Sequence, residues 1–334
     1  MDVLPGKIKK NPCNFRNQST VNLKTFFCLY SFCLFTSVSL AQLRWKPAQN
    51  DSLPPGLKLF AIKDILNGRP FIAYYLEASL KNKKLDFTTQ AGEGKRYTPS
   101  QFYGKEGAPY VVVNGTFFSF ATNQNLNVII RNGKVLSYNV PALKSMTSDS
   151  FYYPTRSAIG ITRNRRADVA WLFTDTAERW PYAFQSRPIV ARGVTSDPRL
   201  KDLNTIDPWK WWKMKTAIGG GPVLIQDGKI NVTNREEQMF VNGVADLHPR
   251  TAMGYTKNRK LIILVIQGRA PGIAEGATLN EVAKILVDLG CYEALNLDGG
   301  GSSCMLVNGK ETIKPSDKEG QRPVPGVFII KQKK

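Results

Sequence analysis

The sequence has a single histidine and only five cysteines among its 334 residues. A conventional zinc site or a Ser-His or Cys-His nucleophile would have to rely on His248, so neither is expected. Lys and Arg form no run of five or more, and zinc-finger spacings and RNP-like aromatic motifs are missing, so a nucleic-acid partner is not expected either. The formal charge of +20, from 46 basic and 26 acidic residues, favours another anionic partner, such as a glycan or a sugar phosphate.

Long apolar runs are also scarce, and the one near the N-terminus is typical of a secretory signal peptide. Basic residues end at Lys24, an apolar stretch follows, and Ser39 and Ala41 occupy the small-residue positions of a cleavage site. We therefore interpret residues 1–41 as a signal peptide and expect a secreted or periplasmic protein. The run is short for a membrane span, so no span is expected after cleavage.

Two cysteines remain beyond the signal peptide, Cys291 and Cys304. In an oxidising compartment they could form a disulfide or stay as buried thiols, and the sequence leaves both open.

Strand signals dominate the rest of the chain. Asn132-Gly133, Asp227-Gly228 and Asn308-Gly309 each predict a tight hairpin turn, because Asn, Asp and Gly tolerate positive φ. The apolar and β-branched runs predict strands over Leu57–Ala61, Phe71–Leu76, Tyr110–Asn114, Val128–Ile130, Leu261–Ile266 and Glu293–Leu297.

One helix is predicted over Leu279–Leu289, because Thr278 and Glu281 form a capping-box pattern and Gly290 is a stop signal. This helix lies between two predicted strands, an order that favours a crossover joining a parallel pair. We therefore predict an α+β fold: a single strand-rich domain over residues 57–332, with a mixed β-sheet and a few packed helices, after an extended lead-in over residues 42–56.

The strongest chemical signal is a carboxylate followed by three glycines and two hydroxyls. Asp298 ends a predicted strand, and the amides of Gly299, Gly300 and Gly301 can converge on an anion beside it, with Ser302 next in sequence. Taken alone, the pattern also fits a tight turn whose aspartate caps its own backbone.

Together with other motifs the pattern resembles the phosphodiester glycosidase family, over roughly residues 57–330. In chain order the motifs are Asn114-Gly-Thr-Phe-Phe118, Gly219-Gly-Gly-Pro222, Pro249-Arg-Thr-Ala-Met-Gly254, Gly268-Arg269 and Asn296-Leu-Asp-Gly-Gly-Gly-Ser-Ser303. Two positions depart from the family pattern: Gln267 replaces an Asp, and Ala274 stands where a Ser is common.

The resemblance implies a hydrolase that cleaves a sugar-1-phosphate diester, similar to a GlcNAc-1-phosphodiester, in a cell-surface or environmental glycan. Asp298 and Arg250 are then the implied catalytic groups, with Glu275 as a replacement carboxylate. The expected substrate-binding residues are Asn114, Gly115, Arg269, Gly299, Gly300, Gly301, Ser302 and Trp211, the last as a sugar platform.

Two alternatives remain open on the sequence. The chain could cleave a non-phosphate glycosidic linkage with Asp298 and Glu275 as a carboxylate pair, or it could be a non-catalytic secreted glycan-binding protein. No cofactor is predicted, and a divalent cation such as calcium is left open.

Overall fold

The computed structural model describes residues 43–48, 53–144, 149–187, 209–240 and 243–333. The predicted signal peptide and part of the lead-in lie outside these residues. From Leu43 onward the chain forms one compact unit. Within the described ranges, no helix has the length and apolar character needed to cross a membrane.

The described residues are mostly β, so the strand-rich prediction is confirmed. In chain order the elements are β1 (Lys46–Pro47), β2 (Leu57–Leu66), β3 (Arg69–Ser79), β4 (Leu85–Ala91), α1 (Pro99–Lys105), β5 (Val111–Asn114), β6 (Ile129–Arg131), β7 (Lys134–Ser137), β8 (Leu143–Lys144), β9 (Phe151–Tyr152), β10 (Arg156–Ile161), β11 (Ala167–Phe173), β12 (Tyr182–Phe184), β13 (Lys210–Trp211), β14 (Thr216–Gly219), β15 (Val223–Gln226), β16 (Lys229–Ile230), β17 (Arg250–Thr256), β18 (Lys260–Ile266), α2 (Leu279–Asp288), β19 (Cys291–Asn296), a 3₁₀-helix (Gly300–Ser302), β20 (Met305–Val307), β21 (Lys310–Glu311) and β22 (Gly326–Gln332).

The strands form three large sheets and one short ribbon. The first sheet has the order β1-β2-β3-β18-β17-β19-β15-β16, the second β13-β12-β11-β10-β14-β6-β7, and the third β21-β20-β5-β22-β4. The ribbon pairs β8 with β9.

The prediction of a mixed sheet is wrong for the described strands, since all their pairings are antiparallel. The helix α2 does connect β18 to β19, but β17 lies between them and pairs with each in the antiparallel sense. The two strands therefore run in the same direction without pairing directly, which the order strand, helix, strand does not reveal.

The local predictions agree with the structure. All three predicted hairpins form, and their turns have the expected positive φ, for example 53° at Asn132 and 80° at Gly133. In α2 the Thr278 hydroxyl accepts from the Glu281 N–H while the Glu281 carboxylate accepts from the Thr278 N–H, the reciprocal capping box. A second capping box, between Thr98 and Gln101, begins α1, which the sequence analysis did not predict.

A shared apolar core joins the three large sheets. It contains side chains from each of them, including Leu76, Phe328 and Trp171. A second cluster packs α2 against the first sheet. Cys291 and Cys304 are buried as free thiols in separate clusters, so of the two alternatives left open the structure has unpaired cysteines.

Candidate functional site

Asp298 lies where the first and third sheets meet. Two residues after the end of β19, its main-chain N–H donates to the Gly115 carbonyl at 2.8 Å, and its own carbonyl accepts from Asn114 Nδ2 at 2.6 Å. One main-chain and one side-chain hydrogen bond from the end of β5 thus fix the backbone of this residue.

The Asn114 side chain holds the Asp298 backbone in place through a hydrogen bond. Its side chain is fully buried, and Oδ1 accepts from the Thr251 hydroxyl at 2.8 Å and from the Cys304 N–H at 3.1 Å. Both ends of the amide therefore bind protein groups. The direct substrate contact expected for Asn114 does not fit this burial, and its observed role is to position Asp298.

Gly115 also lies under the site. A Cβ at this position would collide with the side chain of Ile218, so the glycine permits close packing of the second sheet. A substrate contact by this buried residue, as expected from the sequence, is not supported by its position.

The three glycines after Asp298 form a tight turn in contact with three arginines. Gly300 has a φ of 60° and donates its N–H to the Pro249 carbonyl at 2.8 Å. A Cβ on Gly300 would lie 2.9 Å from Arg269 Nη2, and a Cβ on Gly301 would collide with the Arg322 guanidinium. Because the turn has no side chains, the guanidinium groups of Arg269 and Arg322 can lie directly against it.

The three arginines differ in how many of their N–H donors remain available to a ligand. Arg250 is only 4% exposed, and its Nε and Nη2 donate to the carbonyls of Ala277, at 2.9 Å, and Asp246, at 2.7 Å. Burial lowers the Arg250 pKa to about 10. Two loops, one before β17 and one before α2, therefore take up donors of the Arg250 guanidinium, and its implied catalytic role stays a prediction.

Arg269 is exposed and better placed. Its Nη2 lies 3.4 Å from His248 Nδ1, and in the described part of the chain it has no carboxylate partner. Arg322 forms a two-point ion pair with Asp317, with both N–O distances at 2.6 Å. Among the described residues, Arg269 is therefore the arginine of this corner with the most hydrogen-bond donors left for a ligand.

Unsatisfied polar atoms concentrate around the same corner. Four buried oxygens near the turn lack a hydrogen-bond partner, whereas buried polar atoms in native proteins nearly always have one. They are Asp298 Oδ2, Ser303 Oγ, Thr116 Oγ1 and Asn296 Oδ1. A ligand or water in the corner would supply the missing partners.

The electrostatics of Asp298 suit proton transfer. Burial raises its pKa to about 7, although the Ser302 hydroxyl, the Arg322 charge and the Gly299 N–H favour the ionised form. The pKa of His248 is lowered, first by burial and then by the charges of Arg250 and Arg269. The corner thus combines a carboxyl group whose pKa is about 7 with neighbouring arginine side chains.

The structure places Glu275 on the loop before α2 and Trp211 on an edge strand. The main-chain N–H of Glu275 donates to the Pro70 carbonyl in β3 at 3.2 Å, and its pairing with Asp298 stays a prediction. Trp211 lies on the edge strand β13, with three strands between it and β14, and its ring packs 4.3 Å from that of Tyr182. The tryptophan platform is therefore not assembled at this corner.

The sequence analysis missed Arg322, Asp317 and Phe120. Phe120 is 64% exposed, with the guanidinium carbons of Arg322 and Arg96 at 5.2 and 5.7 Å from its ring centre. These residues lie far apart in sequence from Asp298, and no local pattern could have joined them to it. In the described residues no group of three or more His, Cys, Asp or Glu side chains is arranged to hold a metal.

The fold and this corner define a strand-rich protein with a buried carboxylate beside a glycine turn and two arginines. Residues 183–331 match the family model described as Phosphodiester glycosidase, and this match confirms the resemblance seen in the sequence. The family and its glycosidase relatives also support the prediction of an enzyme.

Curated relatives match over part of the chain. A bovine N-acetylglucosamine-1-phosphodiester alpha-N-acetylglucosaminidase is 36% identical over 109 residues, which is 30% of this chain and 20% of that protein. The SPbeta prophage-derived uncharacterized protein YomE of Bacillus subtilis is 37% identical over 106 residues, covering 31% of this chain and 15% of the relative. The matched part therefore spans a fifth or less of these two proteins.

Solved structures share the fold. The zebrafish N-acetylglucosamine-1-phosphodiester alpha-N-acetylglucosaminidase catalytic domain, described as auto-inhibited by its pro-peptide, aligns with a TM-score of 0.57 at 22% identity, covering 87% of this chain and 88% of that one. A hypothetical protein from Synechocystis aligns with a TM-score of 0.56 at 14% identity, covering 84% and 64% of the two chains.

Proposed function

We propose that this chain is a secreted or periplasmic hydrolase that cleaves a sugar-1-phosphate diester, similar to a GlcNAc-1-phosphodiester, in a cell-surface or environmental glycan. The observation that carries the proposal is the partnerless, buried Oδ2 of Asp298 in a turn contacted by Arg269 and Arg322. Family membership of the matched segment and the names of its relatives support the substrate class.

The positive charges of Arg269 and Arg322 are suited to stabilising a phosphate leaving group. A phosphate monoester leaves as a stable anion, so cations and N–H groups can replace much of the acid catalysis that an ordinary glycosidase needs. Arg269 is placed to bind the phosphate oxygens bidentately, since its fork has no carboxylate partner among the described residues. Arg322, held by Asp317, adds a fixed positive charge beside Gly301.

Asp298 acts in this proposal as the general base. It takes a proton from water as the water oxygen bonds to the sugar C1. The bond between C1 and the bridging phosphate oxygen breaks, and the phosphate monoester departs with the bonding electrons. A pKa near 7 is suited to this role, because the group is partly ionised at neutral pH and still basic enough to accept the proton.

The test compares leaving groups. The purified protein is incubated with the methyl diester of GlcNAc-α-1-phosphate and with p-nitrophenyl α- and β-GlcNAc, and the released sugar and nitrophenol are measured. We expect release from the diester and little from the nitrophenyl glycosides. Release from the nitrophenyl glycosides alone would instead assign a non-phosphate linkage, and release from none would favour a binding protein.

A further inference from the structure

A separate cleft lies on the far side of the loop that carries Phe120. Its volume is about 710 Å³, within the range of small-ligand sites. It is lined by the 123–125 and 136–139 segments, the 173–176 segment after β11, and Pro325 before β22. None of the residues assigned above to the Asp298 corner lines it.

The lining of this cleft is mostly apolar surface with uncharged polar groups among it. Asn123, Gln124 and Asn125 contribute amides, and Tyr138 adds a hydroxyl beside an aromatic ring. Further lining groups are Ser137, Asn139, Thr174 and Thr176, with Phe173 as a second ring. Among the described residues of the lining, the charged side chains are Glu93 and Asp175, although the whole chain carries a formal charge of +20.

Two of these amides retain unused hydrogen-bonding capacity. Asn123 Oδ1 and Asn125 Nδ2 are buried without a partner. Unpaired acceptors and donors beside aromatic rings suit a hydroxyl-rich, uncharged ligand, whereas the described part of the lining offers no arginine or lysine to an anion.

Segments that line the cleft are adjacent in the chain to segments of the Asp298 corner. Gly115, which binds the Asp298 N–H, is followed by Thr116, and a Cβ on Gly326 would lie 3.3 Å from Thr116 Oγ1. Gly326 follows Pro325, which lines the cleft. On the other side, the Ser119 N–H donates to the Gln124 carbonyl at 2.9 Å, so the Phe120 loop forms the partition between the two sites.

We propose that this cleft is a second carbohydrate subsite, which binds a neutral sugar unit of the substrate. The sugar phosphate occupies the Asp298 corner, the chain of the glycan crosses the exposed ring of Phe120, and a neutral residue enters the cleft. This placement within the substrate rests on the proposed function, whereas the binding of neutral saccharide does not.

The test measures binding and turnover separately. Isothermal titration calorimetry is carried out on the full chain with neutral di- and trisaccharides of GlcNAc, mannose and glucose, and with inorganic phosphate as the anionic probe. Thr176→Trp blocks the cleft from an exposed position, and Asn280→Trp places the same side chain on the exposed face of α2 as the matched control.

We expect at least one neutral saccharide to bind, at least about tenfold more weakly to Thr176→Trp than to the wild type and the control, and undiminished binding to Asp298→Asn. The proposal is overturned if no saccharide binds, if Thr176→Trp binds as the wild type does, or if the cleft variant loses phosphate binding instead. Hydrolysis of the methyl diester is assayed in parallel, so failure of the subsite and failure of the catalytic proposal give different results.

Discussion

At the level of single residues, the neighbours of Asp298 differ in what they contact. Asn114 fixes the Asp298 backbone, Arg250 is held by loop carbonyls, and Arg269 keeps its fork available. The sequence placed all of these residues at one site but could not distinguish a positioning side chain from one that contacts a ligand, because burial and hydrogen-bond partners are set by distant segments.

The division predicts different effects for the arginines. Arg269→Ala should lower kcat/KM for the diester by about 10²-fold or more with little change in stability, because an exposed phosphate ligand is lost. Arg269→Lys should recover part of this loss, since the charge is kept without the fork. Steady-state kinetics beside Arg166→Ala, another exposed arginine, gives the comparison, and unchanged kcat/KM in Arg269→Ala would remove it from the site.

Asp298 should also cost stability at neutral pH. Its pKa in the folded protein, about 7, lies above the ordinary carboxyl value, so the folded state binds the proton more tightly than the unfolded state. Stability therefore falls as pH rises from about 4 to 7. Asp298→Asn removes this penalty and should raise Tm relative to the wild type more at pH 8 than at pH 4, as measured by calorimetry. An equal Tm difference at both pH values would argue against a buried carboxylate with a raised pKa.

At the scale of elements, the local predictions succeeded where the relevant contacts are close in sequence. The three Asn-Gly or Asp-Gly hairpins and the capping box of α2 depend on residues within a few positions of one another. The strand order could not be obtained in this way. The insertion of β17 between β18 and β19 depends on pairings across the whole sheet, which no local pattern records.

The α2 cap provides a test at this scale. Thr278→Ala should destabilise the protein by about 1 kcal/mol, because the Glu281 N–H loses its acceptor. Asn280→Ala, at an exposed position in the same helix, should be neutral or slightly stabilising. Urea unfolding measures both, and equal stabilities of the two variants would mean that the capping box contributes nothing measurable.

At the scale of the whole molecule, one buried carboxylate joins two sheets beneath the site. Glu237 is fully buried and accepts from the main-chain N–H of Ser157 at 3.0 Å, on β10, and of Val223 at 2.7 Å, on β15. It also accepts from Trp171 Nε1 on β11 at 3.1 Å. A Cβ on Gly221 would lie 2.6 Å from Glu237 Oε2, and the Gly221 N–H donates to the Asn296 carbonyl, two residues before Asp298. Nothing in the sequence around Glu237 indicates this role.

Replacing Glu237 should therefore weaken the contact between the first and second sheets. Glu237→Ala leaves several buried donors without an acceptor and should cost roughly 3 kcal/mol or more in unfolding free energy. Glu237→Gln, which keeps one acceptor oxygen, should lose less, so the prediction remains testable if the alanine variant does not fold. The adjacent Glu236→Ala, which removes only an ion pair with the exposed Arg187, should cost under about 1 kcal/mol in the same urea titration. Equal losses at 236 and 237 would contradict the inter-sheet role.

The proposed role of Asp298 is that of general base in the hydrolysis of a sugar-1-phosphate diester. This role is tested by the pH dependence of kcat/KM for the methyl diester of GlcNAc-α-1-phosphate, in the wild type and in Asp298→Asn. We expect wild-type kcat/KM to rise with pH through an apparent pKa of about 7, as the carboxylate ionises, and Asp298→Asn to lose at least about 10³-fold in activity while remaining folded. Wild-type kcat/KM in Asp298→Asn, with the same pH profile, would contradict it.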